Sequence, residues 1–221
     1  MIAIPALLFL GFSPQSTIAV NAVGDVGAFI SATTQYWRSK KIDWKMAIPL
    51  AIIAIVGSLI GTQIMVRMGT GFLREFIGVI ILIFLPFFFF GGRTIGIKQT
   101  SPSKTRRSIG LTLYFLLIIE GAIVGAGGST IILLVMMYFF GYEIIRGYAT
   151  NTPADLLSSL IPAVVYSLYG FVSLLPAIVI FSGMLIGGFI GANTALEKGN
   201  RWVKRLFTIV VIASVIKILF F

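Results

Sequence analysis

Two Asn–Asp pairs are the residues best suited to bind a small ion or exchange a proton. Asn21 and Asp25 recur as Asn151 and Asp155, each 130 residues further along the chain. Within a pair the members are four residues apart, so on a helix they share one face. The amide can donate hydrogen bonds to an anion, and the carboxylate can take up and release a proton. Both pairs lie in apolar sequence. An ionisable side chain inside a membrane costs roughly 3 kcal/mol and faces a cavity or a partner. A second candidate is the run Gly125-Ala126-Gly127-Gly128-Ser129-Thr130. If Ser129 or Thr130 starts a helix, its unpaired N–H groups and positive dipole end can hold an anion. The candidate substrate-binding residues are therefore Asn21, Asn151, Thr150, Thr152, Gly127, Gly128, Ser129 and Thr130. Asp25 and Asp155 are the candidate proton-coupling residues, and no metal site is expected.

Each candidate has a structural alternative. Thr150 to Asp155, with Pro153 between them, has the pattern of a helix N-terminus, which would make Asn151 and Asp155 capping residues, and an interhelical structural hydrogen bond is a third reading of the pairs. The glycines also suit close helix packing. Glu120 reads equally as a proton carrier or as the partner of a basic residue.

The elements that must position these residues are duplicated. The same offset pairs Gly11 with Gly141, Tyr36 with Tyr166, Gly57 with Gly187 and Gly61 with Gly191, without a gap. An apolar chain with an internal duplication reads as a membrane transporter built from two repeats. The chain is 58% hydrophobic with a mean hydropathy of +1.04, more than a soluble domain needs. Its net charge of +10 sits in short loops, where basic residues set topology and meet anionic lipid headgroups rather than nucleic acid. With no Cys and no His, disulfides, thiolate metal sites and the commonest catalytic base are absent, which argues against a membrane-embedded enzyme. No cofactor is expected.

Spans are expected at 16–37, 46–66 and 76–90, and again at 146–169, 174–196 and 203–221. Gly57 and Gly61, like Gly187 and Gly191, have the spacing of a small-residue contact face. The 109–141 segment is too long for one crossing and is rich in glycine from 121 to 128, so two half-helices meeting at a break are expected. Loop charges favour a segment that dips in and returns to the same side. The basic stretches at 38–45, 91–108 and 197–205 are then all cytoplasmic, and the uncharged 169–174 turn and the C-terminus lie outside. Each repeat then has an odd number of crossings, so the repeats are inverted.

The expected fold is all-α, a polytopic helical membrane protein of two homologous, inverted repeats. Residues 1–91 form the first repeat, 92–108 a basic linker and 109–221 the second repeat. Each repeat has a Gly-broken hairpin and three spans. Under the offset, residue 1 corresponds to 131, so the first hairpin is expected to lack its leading half-helix. Met1 is then either internal to a longer product or the start of a shortened first repeat. Residues 1–12 read as mature membrane structure, since they lack the positive start of a signal peptide.

The glycine run followed by an apolar stretch to Phe140, the polar helix starts Ala149-Thr150-Asn151-Thr152 and Ala19-Val20-Asn21, the loop with Asp43-Trp44, and the paired glycines Gly57 and Gly61 resemble the sulfite exporter TauE/SafE family of membrane transporters. The resemblance covers nearly the whole chain, and the missing front of the first hairpin departs from it. It implies export or uptake of small anions such as sulfite, organosulfonates or related organic anions. The implied setting is the cell membrane, with the lipid bilayer and a small anionic substrate as partners and a homodimer as a further possibility. A non-transporting membrane subunit or truncated paralogue is the competing class. The chain has no Walker A motif, so any pumping is gradient-driven or depends on another chain.

A carboxylate beside an anion site is repulsive, by about 4 kcal/mol at roughly 4 Å and an effective dielectric of about 20. At least one of Asp25 and Asp155 is therefore expected to carry a proton when substrate binds.

Overall fold

The computed structural model describes residues 3–69, 71–72, 101–125 and 128–220. Among them every regular element is a helix. In chain order these are α1 (Ala3–Phe9), α2 (Pro14–Arg38), α3 (Trp44–Arg67), α4 (Lys104–Val124), α5 (Gly128–Tyr138), α6 (Ile144–Leu168) and α7 (Leu174–Phe220). The expected span at 76–90 with its Phe run, the linker up to residue 100, and Gly127 lie outside the described residues.

Local chemistry sets the helix ends. Ser13 caps α2 by accepting from the Ser16 N–H, and Pro14 opens the first turn, where its missing N–H costs nothing. Asp43 caps α3 through Lys45, and Ser103 caps α4 through Arg106. Gly125 closes α4 in the left-handed conformation, φ 69°, with its N–H on the Gly121 carbonyl. Gly199, at φ 79° and ψ 174°, breaks α7 between the two spans expected at 174–196 and 203–221.

Among the described residues, three helical stretches are apolar and long enough to cross a bilayer: Trp44–Arg67, Lys104–Val124 and Leu174–Leu206. Each of α2 and α6 has 25 residues, about 37 Å at 1.5 Å per residue, so both are long enough as well. They are more polar because they face protein. Only 6% of the most apolar stretch of α7 is buried, which leaves an apolar face free to meet lipid.

The glycine-interrupted segment is a hairpin of unequal limbs. The first limb, α4, has 21 residues rather than the expected half-helix, and the second, α5, has 11. The limbs fold back on each other. The Arg106 guanidinium lies 3.9 Å over the Tyr138 ring, and a Cβ placed on Gly110 would fall 2.6 Å from the Phe139 Cβ. The beginning of α4 and the end of α5 therefore meet at the same end of the bundle, with the break at the far tip.

Small residues let the backbones close in. A Cβ on Gly24 would meet Ile180 at 2.5 Å, and one on Gly27 would meet the Phe181 carbonyl at 2.6 Å, so α2 and α7 run side by side in parallel. Gly57 and Gly61 bring α3 onto α4, at Ile118 and at the Ile119 backbone. The expected counterpart face fails, because Gly187 and Gly191 have nothing within 4 Å. Their neighbour Gly188 makes the contact instead, against Ala28 and Ser31 of α2. The spacing repeats, but among the described residues no α4-like helix stands over the second pair. Helices α2 and α6 are antiparallel. Tyr36 meets Tyr148 edge-on at 5.9 Å near one end, and Ile18 and Tyr166 share a core cluster near the other.

Loops close each end. At the first, the Asp43 carboxylate accepts from the Tyr142 hydroxyl at 2.8 Å, and the Asp43 N–H donates to Thr150 Oγ1 at 3.1 Å. Burial, and then the Asp43 carboxylate, push the Tyr142 phenol well above its ordinary value, so it stays a donor. Asn200, at the α7 break, donates to Glu143 at 2.7 Å and accepts from the Ile145 N–H at 3.0 Å. These bonds gather the loops after α2 and α5 and the 197–201 turn into one end, where Lys40, Lys41, Arg106 and Arg201 also lie. At the opposite end the Ser16 and Ser173 hydroxyls meet at 3.2 Å.

The two glycine pairs should respond oppositely to a methyl group. Gly61→Ala forces α4 away from α3 and should cost about 1–3 kcal/mol. Gly191→Ala meets open space and should gain up to about 1 kcal/mol from helix propensity. Melting of the purified protein in detergent reads both, and equal shifts would mean that the α3–α4 approach is not tight.

Candidate functional site

Asn21 and Asp25 sit in the middle of α2, and Asn151 and Asp155 in the middle of α6. This removes the capping alternative, since α6 starts at Ile144 rather than at Thr150. Pro153 lies inside the helix and has no N–H for the Ala149 carbonyl. The Thr152 hydroxyl donates to that carbonyl at 2.9 Å and replaces the lost bond. Thr150 is equally committed, accepting from Asp43. Neither threonine lines the cavity described next.

The two pairs have matching internal geometry. Asn21 Nδ2 donates to Asp25 Oδ2 at 2.8 Å, and Asn151 Nδ2 donates to Asp155 Oδ2 at 2.7 Å. Each Asp lies 11 residues from the start of its helix, and the helices are antiparallel, so the carboxylates meet at mid-height. Both line one cavity of about 130 Å³. That is room for several waters or a small ion. The hairpin supplies the opposite wall through Leu117, Ile118, Gly121, Ala122, Gly125, Ser129 and Ile132.

The hairpin also touches each pair through a polar bond. Asn21 Nδ2 donates to the Gly125 carbonyl at 3.3 Å, which ties the break to α2. The fully buried Tyr114 of α4 donates to Asn151 Oδ1 at 2.8 Å. Tyr114 was not among the residues singled out from the sequence, because a lone tyrosine in an apolar helix looks like ordinary core. Ser129 is exposed in the first turn of α5 and lines this cavity, and Gly128 and Thr130 belong to the same turn. Ser129 also borders a second cavity of about 340 Å³, mostly apolar and lined by Ala28, Leu133, Ile145, Tyr148 and Gly191 among others. Ser129 is thus shared between the central cavity and a chamber that leads toward the basic end.

The chemistry of the central cavity is acceptor-rich. Two carboxylates face it, and among the described residues no Lys or Arg lines it. The Ser158 and Ser159 hydroxyls donate to the Asp155 backbone carbonyl, and the Tyr166 hydroxyl donates to the Ala122 carbonyl at 2.5 Å. Those donors are already used. An anion could be received by the N–H groups that open α5, provided the carboxylates are neutralised. Glu120 does not line this cavity. It is buried with both carboxylate oxygens unpartnered, on the stripe that continues the exposed Ile109, Leu113 and Leu116. Among the described residues no group of three His, Cys, Asp or Glu could hold a metal ion.

The family described as Sulfite exporter TauE/SafE matches residues 1–218. A probable membrane transporter protein ORF9 from Sinorhizobium sp is 25% identical over 219 residues, covering 99% of this chain and 84% of the relative. A probable membrane transporter protein from Haemophilus influenzae is 20% identical over 209 residues, covering 95% and 82%. The probable membrane transporter protein YfcA of Escherichia coli is 24% identical over 229 residues, covering 100% and 81%. No solved structure matches the chain significantly.

The Thr152 bond is open to a simple test. Thr152→Val should cost about 1 kcal/mol, the usual net value of a hydrogen bond, whereas Thr152→Ser keeps the hydroxyl and should cost less. Equal melting temperatures for the two variants would show that the bond to Ala149 contributes nothing.

Proposed function

The chain belongs to the sulfite exporter TauE/SafE family, and on that premise we propose that it is a secondary transporter of small anions such as sulfite, organosulfonates or related organic anions, coupled to protons through Asp25 and Asp155. It is a multi-pass helical membrane protein of a transporter family, and the cell membrane is the proposed site of action. One observation carries the coupling. Two carboxylates, one from each half of the chain, face a small cavity that no basic residue lines among the described residues. An anion entering that cavity meets repulsion unless protons enter with it. Asn21 and Asn151 hold the carboxylates, and the first turn of α5, with Ser129, receives the anion.

The two halves, 1–91 and 109–221, are proposed to be inverted repeats joined by the 92–108 linker. Support comes from the antiparallel run of α2 against α6 and from matched packing. Gly24 meets α7 near Met184, and at the equivalent positions Ala154 and Ala54 share one core cluster. Binding at mid-height between two such halves suits alternating access by rocking of one part against the other. The route inward passes Ser129 into the apolar chamber and on toward the basic end, which positive-inside bias places in the cytoplasm.

Topology is tested by single cysteines, since the chain has none of its own. Leu174→Cys should react with a membrane-impermeant maleimide on intact cells, and Lys198→Cys should react only after permeabilisation. With Lys40→Cys protected on intact cells as the cytoplasmic reference, the reverse pattern overturns the inverted arrangement, and the reverse pattern with Lys40→Cys labelled from outside overturns the orientation.

Coupling is tested in proteoliposomes with sulfite as the probe. Flux through the parent protein should follow an imposed pH gradient. Asp155→Asn should still bind sulfite but carry it independently of the gradient. A variant that keeps the full gradient response removes Asp155 from the coupling, and a parent that carries no sulfite or other small anion favours a non-transporting subunit.

A further inference from the structure

Building on the proton-coupled reading of the cavity, we propose that the α4–α5 hairpin sets the proton affinity of the Asp155 carboxylate, and that Tyr114 is the positioning residue through which it does so. A carboxamide is chemically two-faced. Its Oδ1 only accepts and its Nδ2 only donates, and rotation by 180° exchanges them. Which face Asn151 turns to Asp155 decides which protonation state of Asp155 is favoured. With Nδ2 toward the carboxylate, the ionised form is held, because a carboxylate accepts. With Oδ1 toward it, the ionised form is repelled and the acid, which can donate, is held.

The side chain that settles the choice is Tyr114. Its hydroxyl donates to Asn151 Oδ1 at 2.8 Å, leaving Nδ2 to face Asp155 Oδ2 at 2.7 Å. Tyr114, Asn151 and Asp155 are all buried, at 0%, 3% and 4% exposure, so water does not compete for the amide. No other side-chain bond to Asn151 is present among the described residues. Tyr114 belongs to the hairpin, whereas Asn151 and Asp155 belong to α6. The amide is therefore locked only while α4 lies against α6, and a shift of α4 by one hydroxyl's reach unlocks it.

The first half is built differently. There the hairpin acts on the nitrogen of the amide, since Asn21 Nδ2 serves both Asp25 and the Gly125 carbonyl. A backbone carbonyl can only accept, so this contact also turns Nδ2 toward the carboxylate. Both carboxylates thus have their amide partner oriented by the hairpin, one by a side chain at its root and one by backbone at its tip. By reciprocity, an element that changes proton affinity when it moves is itself moved by protonation.

The other titratable groups near Asp155 are few. Asp25 faces it across the cavity from α2, and Tyr148 and Tyr166 stand on its own helix. Helices α3, α5 and α7 contribute no charged side chain to the cavity among the described residues.

The test is the pH profile of sulfite flux through the full chain in proteoliposomes. Tyr114→Phe keeps the ring and frees the amide. Its profile midpoint should move to higher pH by about one unit, a tenfold change in proton affinity. In an Asp155→Asn background the same substitution should give no shift. If Tyr114→Phe does not assemble, Asn151→Gln, which displaces the amide by one methylene with Tyr114 in place, should give the same alkaline shift. A midpoint that stays put while only the rate falls makes Tyr114 a packing residue and overturns the proposal, and so does a shift that persists with Asp155→Asn. In both cases a pH-dependent parent leaves the proton-coupled reading standing. A parent whose flux ignores pH overturns that reading and this proposal with it.

Discussion

A carboxylic acid at the centre of a bilayer has to be enclosed by protein, and most of this architecture can be traced to that requirement. The two helices that carry Asp25 and Asp155 are flanked by α3, α4 and α7, whose apolar outer faces meet lipid. Enclosure by helices demands close approach, and close approach demands glycine where backbones meet, at Gly24 and Gly27 of α2 and at Gly57 and Gly61 of α3. Of the three apolar spans, the one in α7 is both the most apolar and the least buried.

Much of this was legible in the chain itself. The 130-residue offset located both Asn–Asp pairs, and apolar run lengths placed α2, α3 and α6 to within two residues. The glycine run announced a break, and Gly125 marks it. What the sequence left open depends on contacts between distant segments. Gly187 and Gly191 have the same spacing as Gly57 and Gly61, yet spacing cannot say whether a second helix stands opposite. Pro153 looked like a helix start because proline favours the first turn, and the Thr152 hydroxyl that lets it sit inside a helix is a tertiary-independent detail easily overlooked. Tyr114 carried no local signal, since its role is defined by a residue 37 positions away.

The hairpin deserves its place in any account of selectivity. Its two limbs bring main-chain groups at the break to the wall of the cavity between α2 and α6, and in a membrane exposed backbone is tolerated only beside such a cavity. The cavity it covers is small and rich in acceptors. A site of that kind is poorly suited to holding a bare anion for long. Weak retention serves a transporter, since a substrate that is bound too firmly in one state is not released from the next.

Asn200 has a consequence for how the protein is made. The start of α6 has no side-chain cap of its own. Its Ile145 N–H is satisfied by an amide 55 residues later, at the break of the last helix. A ribosome delivers the chain from the N-terminus, so α6, and the Asp155 it carries, enters the membrane with that end unfinished. The cap arrives only after 55 further residues have been synthesised. Insertion and folding are thereby linked, because the helix that bears Asn151 and Asp155 is completed by a segment that reaches the membrane well after it.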